Sequence, residues 1–121
     1  MDLGLKGKSA IVTAASRGLG LATARSLARE GVNLTMNARS AEALDAEAAA
    51  IREEFGVDVK TVAADFNEAE SRQALFETAG APDILVSNPG VRQVPTPYDQ
   101  ITPEEWRYWL EEHFLSSVEM I

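Results

Sequence analysis

A chain of 121 residues with 45% hydrophobic side chains suits one small globular domain with a modest core and excludes a disordered polymer. Its net charge of −8, from 11 basic and 19 acidic residues, argues against a general nucleic-acid or anionic-membrane surface, although locally placed basic residues can still hold an anion. The absence of cysteine rules out disulfides, thiol catalysis and zinc–thiolate centres, and no metal site is expected.

The opening Met1-Asp2-Leu3-Gly4-Leu5-Lys6 lacks the apolar core of a signal peptide, and no run approaches membrane-spanning length, so a soluble cytoplasmic protein is expected. Residues 9–13 form a short apolar run, as befits a strand buried on both faces. A small-residue turn follows, and an amphipathic helix is predicted over 18–30, stopped by Gly31. The junction between them, Thr13-Ala14-Ala15-Ser16-Arg17-Gly18-Leu19-Gly20, is the most informative stretch of the chain. A strand, a glycine turn and a helix start bring free backbone N–H groups and the positive end of a helix dipole to one point, which suits a phosphate or pyrophosphate. The alternative is a tightly packed helix start with no ligand.

Residues 32–37 alternate apolar and polar, a period-2 strand. Ser40 is a plausible N-cap for the next helix, whose inner face carries Leu44, Ala48, Ile51 and Phe55 and which Gly56 ends. The third strand is predicted over 57–63, where Asp58 and Lys60 suit an edge position. Asn67 with Glu70 makes a capping-box pattern for a third helix, ended by Gly80 and Pro82. Residues 83–87 form a fourth apolar strand, a loop spans 88–101, and Thr102-Pro103-Glu104-Glu105 starts a last helix that runs toward Ile121.

The order β-α-β-α-β-α-β-α, with crossovers of ordinary length and no linker or repeat, implies a parallel sheet with helices on both faces. Right-handed crossovers give a Rossmann-like α/β three-layer fold of strand order 3-2-1-4, with a ligand crevice where the winding reverses.

These residues resemble the short-chain dehydrogenase/reductase family from Lys8 to the last helix. The family's T-G-x-x-x-G-x-G fingerprint corresponds to Thr13 through Gly20, with Ala14 in place of the first glycine, a replacement that suits a negative φ. Its acidic residue after strand 3 matches Asp65, followed by Phe66, and its N-N-A-G motif matches Ser87-Asn88-Pro89-Gly90. The resemblance implies a single nicotinamide-dinucleotide domain over 1–121. In it Thr13, Ala15, Ser16, Arg17, Gly18, Leu19 and Gly20 would meet the pyrophosphate side, Asp65 and Phe66 the adenine, and Asn88, Pro89 and Gly90 the floor under the ribose.

A ribose 2′-hydroxyl favours an acidic acceptor at the end of strand 2, and a 2′-phosphate favours arginine. The family's acidic position falls on Ala38, with Arg39 next to it and Arg17 in the glycine loop, so NADP(H) is expected over NAD(H).

The family's hydride transfer uses a Tyr-x-x-x-Lys pair, in which the tyrosine exchanges the proton at the carbonyl oxygen. No such pair occurs here. Thr102 lies four residues past Tyr98, Glu112 four past Tyr108, and the lysines are Lys6, Lys8 and Lys60. The chain therefore resembles the cofactor-binding first half of a doubly wound oxidoreductase, expected to bind cofactor without turnover and with no catalytic residue of its own. The family's helix-borne asparagine, seven residues past the tryptophan, falls on His113, for which a half-buried residue without chemistry is the favoured reading over a water-holding relay.

Trp106, Trp109, Leu110, Phe114, Val118 and Ile121 cover more than one face of the last helix. Trp106 and Leu110 are expected in the core, and another face is expected to make a homo-oligomer, as is the bare edge of strand 4. Glu104-Glu105 and Glu111-Glu112 read as a solvated face, and Arg92 and Gln93 as an exposed loop. Two rivals to the cofactor-binding half remain: a non-catalytic assembly protein using half the fold, and a half-enzyme completed by another chain.

Overall fold

The computed structural model describes residues 1–88 and 96–121. Pro89, Gly90, Arg92 and Gln93 lie outside them. Four parallel strands, β1 (Ser9–Val12), β2 (Asn33–Ala38), β3 (Val59–Ala63) and β4 (Ile84–Val86), form one sheet in the order β3-β2-β1-β4. Registers run Ile11 to Thr35 and Leu85, and Thr35 to Lys60. This is the expected Rossmann-like topology, with β3 and β4 at the two edges.

Alternation along the strands makes the three layers. On one face Ala10, Val12, Leu34 and Met36 pack against α1 (Gly18–Arg29) and α2 (Ala41–Phe55) through Ala24, Ala28, Leu44, Ala48 and Ile51. On the other, Ile11 packs with Phe66, with Leu75 of α3 (Ala69–Ala79) and with Met120 of the last helix. That last helix is interrupted: α4 (Pro103–Leu110) passes through a π turn at Glu111–Leu115 into α5 (Ser116–Met120).

The helix ends test the sequence reading locally. Thr102 forms the full capping box: Glu105 N donates to Thr102 Oγ1 at 3.2 Å and Thr102 N donates to Glu105 Oε2 at 2.7 Å. Ser40 does stand at the N-cap of α2, but its side chain makes no capping bond. The box expected at Asn67 does not form. The N-cap of α3 is Glu68, and the Asn67 N–H is already taken by Asp65 Oδ1 at 3.0 Å, so a local turn at the aspartate displaces the cap by one residue. The loop expected over 88–101 also holds a short 3₁₀ turn, Tyr98–Gln100.

The faces of the last helix are exchanged relative to expectation. Glu112, Ser116 and Met120 are buried, at four-residue spacing. Trp106, Leu110, Phe114 and Val118 are 51%, 53%, 59% and 49% exposed, so Trp106 and Leu110 are not core residues. The small Ser116 is fully buried at the centre of this face, and its hydroxyl folds back on the Glu112 carbonyl at 2.6 Å.

Candidate dinucleotide cleft

The loop after β1 is built by two close approaches. The Ala15 N–H donates to the Asn37 carbonyl at 2.8 Å, which ties the turn to β2. A Cβ on Gly20 would stand 2.1 Å from the Ala14 carbonyl oxygen, so α1 reaches this loop only because residue 20 is glycine. Ala14 does not keep a negative φ as expected. It sits at +47°, in the left-handed region, because the chain must turn there to bring its carbonyl over the helix start. For a residue with a Cβ this costs on the order of 1 kcal/mol.

Thr13 is the pillar between β1 and β4. It is fully buried, its N–H donates to Val86 O at 3.1 Å, and its hydroxyl accepts from the Asn88 N–H at 2.8 Å. On the far side Asn37, 3% exposed, donates its side-chain amide to Val62 O and Ala64 O at 3.0 and 3.1 Å, which fixes the chain leaving β3.

Above the carboxyl ends of the strands these segments enclose a cleft of about 470 Å³, within the range of small-molecule sites. Of the residues singled out in the sequence, Thr13, Ser16, Arg17, Ala38, Arg39, Asp65, Phe66 and Asn88 line it. Ala15, Gly18, Leu19 and Gly20 are not among its walls. Ala15 and Gly20 are buried in the turn itself, and Leu19 is 79% exposed. The cleft is polarised. Arg17, Arg39 and Ser40 belong to the segments leading into α1 and α2, whereas Asp65 precedes α3 and Glu112 lies in the π turn on the opposite layer.

A family model for the short chain dehydrogenases matches residues 8–121. The chain belongs to the short-chain dehydrogenase/reductase family. It is 41% identical over 107 residues to 3beta-hydroxysteroid dehydrogenase 1 of Eggerthella lenta, covering 85% of this chain and 41% of that protein. It is 33% identical over 106 residues to gluconate 5-dehydrogenase of Gluconobacter oxydans, covering 84% of this chain and 41% of the relative. Among solved structures, L-sorbose reductase of Gluconobacter frateurii, complexed with NADPH and L-sorbose, superposes with a TM-score of 0.95 at 34% identity, covering 99% of this chain and 47% of that one. The chain thus spans less than half the length of these short-chain dehydrogenases, and its fold is the family's Rossmann-type half.

One short-chain dehydrogenase position carries what the sequence reading missed. Glu112, taken there as solvated, is 5% exposed and lines the cleft, and among the described residues its Oε2 has no hydrogen-bond partner. Its neighbour Glu111, by contrast, is paired. Arg72, 4% exposed on α3, bonds Glu111 at 3.3 Å, Glu119 through Nε at 3.0 Å and the Phe66 carbonyl at 2.9 Å, which binds the last helix to the cleft wall. The four-residue series Tyr108, Glu112, Ser116, Met120 was a usable signal, since it spaces one helix face around a small residue. His113 stays outside the cleft: its ring stacks on Trp109 at 5.2 Å and its Nε2 lies 3.8 Å from Glu112 Oε2.

Proposed function

We propose that this chain is the NADP(H)-binding portion of a short-chain dehydrogenase/reductase, and that by itself it binds the dinucleotide without turnover. The donor set of the cleft supports the fit. Two arginines and the Ser40 hydroxyl flank the end of β2, where Ala38 puts no carboxylate against a 2′-phosphate. Arg17 and Arg39 would take that phosphate, Thr13, Ser16 and the glycine turn the pyrophosphate, and Asp65, Phe66 and Asn88 the adenosine end.

When bound, the nicotinamide supplies reversible hydride transfer to a carbonyl or alcohol carbon. The residues of this chain bind and orient, and no Tyr-x-x-x-Lys segment is present to move the accompanying proton. An NADPH complex of L-sorbose reductase, at TM-score 0.95, adds weight to the phosphorylated cofactor. A cytoplasmic location belongs to the same proposal. Among the described residues no helix is long and apolar enough to cross a membrane.

The presence of both Arg17 and Arg39 in the cleft lining, with Ala38 and no carboxylate at the end of β2, carries the proposal, and a thermal-melt titration with NADP⁺ against NAD⁺ tests it. A saturable rise is expected, about 2.7 kcal/mol of stabilisation at a hundredfold excess over Kd, reached at lower concentration with NADP⁺. Arg39→Ala is expected to reduce the NADP⁺ preference about tenfold. No shift from a cooperatively folded chain would move the lead to an assembly role. The exposed row Trp106, Leu110, Phe114 and Val118 supports that second reading, as an oligomer surface.

A further inference from the structure

The last helix reaches the cleft at three places, yet its hold on the rest of the fold is mostly polar. Glu112 lines the cleft directly. Arg72 donates to Glu111 at 3.3 Å and to Glu119 at 3.0 Å on this helix, and to the carbonyl of the cleft residue Phe66 at 2.9 Å. Ser117 and Ser87 share a hydrogen bond of 2.9 Å, next to Asn88, the cleft residue whose N–H donates to Thr13. Apolar anchoring is thin by comparison. Of residues 111–121 only Met120 buries an apolar side chain, whereas α2 buries Leu44, Ala48 and Ile51. Glu119 is 57% exposed, so water screens its ion pair with Arg72. Among the described residues Glu112 Oε2 has no hydrogen-bond partner, and a dehydrated acceptor left unpaired counts against docking.

A segment with few buried apolar contacts and screened polar ties opens at a lower free energy than the whole domain. Undocking residues 111–120 would remove Glu112 from the cleft and free the Arg72 guanidinium that fixes Phe66. A ligand filling the cleft meets its complete walls only while the helix is docked, and so favours the docked state. Resting on the dinucleotide assignment above, we infer that docking of residues 111–120 and filling of the cleft are one coupled equilibrium. Arg72 is its positioning residue, because one guanidinium holds both the helix carboxylates and the Phe66 carbonyl. The coupling is reciprocal: what the docked helix adds to dinucleotide affinity, the bound dinucleotide returns as resistance of the helix to opening.

Amide hydrogen exchange of the whole chain with and without saturating NADP⁺ tests the inference, with thermal melting as the separate readout of binding. In the free chain the amides of residues 112–120 are expected to exchange faster than those of α2. Saturation is expected to slow them about tenfold or more. In Arg72→Met, NADP⁺ should still raise the melting temperature, while its slowing of these amides falls to within about threefold. Exchange at 112–120 as slow as in α2 in the free chain would overturn the inference, since the helix then has no opening of its own. So would unchanged exchange at 112–120 when NADP⁺ raises the melting temperature. Slowing in Arg72→Met equal to that of the unaltered chain would overturn the part given to Arg72. Should Arg72→Met fail to melt cooperatively, the two measurements on the unaltered chain decide the coupling by themselves. No melting shift with NADP⁺ in the unaltered chain would instead remove the dinucleotide assignment, and the coupling with it.

Discussion

The two faces of the sheet are filled in different ways. The face under α1 and α2 is dry and complete, with small alanines at 24, 28 and 48 letting the helices settle close, and with Leu44 and Ile51 fully buried. The face under α3 and the last helix has a small apolar cluster around Ile11, Phe66, Leu75 and Met120. It also buries Arg72, Glu112 and Ser116. Its helix turns Leu110, Phe114 and Val118 outward. The first face is stabilised mainly by its own apolar burial. The second is held by a charged fastening and leaves apolar side chains exposed. Polar groups retained in a core and apolar groups left exposed set the second face apart from the first.

The largest effect expected from this contrast is in the filled layer. Ile51→Ala should cost about 3 kcal/mol in urea unfolding, because neighbours on all sides leave a cavity that does not collapse. Arg72→Met tests the fastening. It should cost about 2 kcal/mol, mainly through the orphaned Phe66 carbonyl, because Glu119 is largely exposed and its ion pair is screened by water. Ala14→Gly should raise stability by about 1 kcal/mol through release of the left-handed strain, measured the same way.

The smallest effect on a single chain is expected at the exposed row. Phe114→Ser should change monomer stability by less than about 0.5 kcal/mol, while light scattering shows a shift from oligomer toward monomer. A cost at Phe114 equal to that at Ile51, with no change of mass, would break the contrast between the two faces. A clean monomer of the unaltered chain at micromolar concentration would count against the oligomer surface.

The sheet was readable from sequence because each segment states its own period. Ala10-Ile11-Val12 is apolar on both sides, residues 32–37 alternate, and Asp58 and Lys60 mark β3 as an edge, all of which the order β3-β2-β1-β4 bears out. Thr102 and Glu105 were readable because a capping box is a local bond between near neighbours. One failure was local: Asp65, two residues before Asn67, takes its N–H in a turn that competes with the cap. The others occurred where a distant partner decides. Glu111 and Glu112 look alike in sequence, yet one meets Arg72 from α3 and the other faces the cleft. Hydrophobicity ranked the faces of the last helix by composition, whereas the face that is buried carries Glu112, Ser116 and Met120 and meets Ile11, Phe66 and Leu75, partners far away in the sequence.

The amide of Asn37 has a consequence for how a ligand would be received. By donating to both Val62 and Ala64 it fastens the outgoing end of an edge strand that, among the described residues, has no further neighbour in the sheet. The entropy of ordering that wall is therefore lost during folding and not again at association. Amide hydrogens along residues 62–65 should exchange as slowly in the free protein as in the saturated one. Asn37→Ala should transfer that loss to the binding step, where it would register as a less favourable binding entropy rather than as a missing contact.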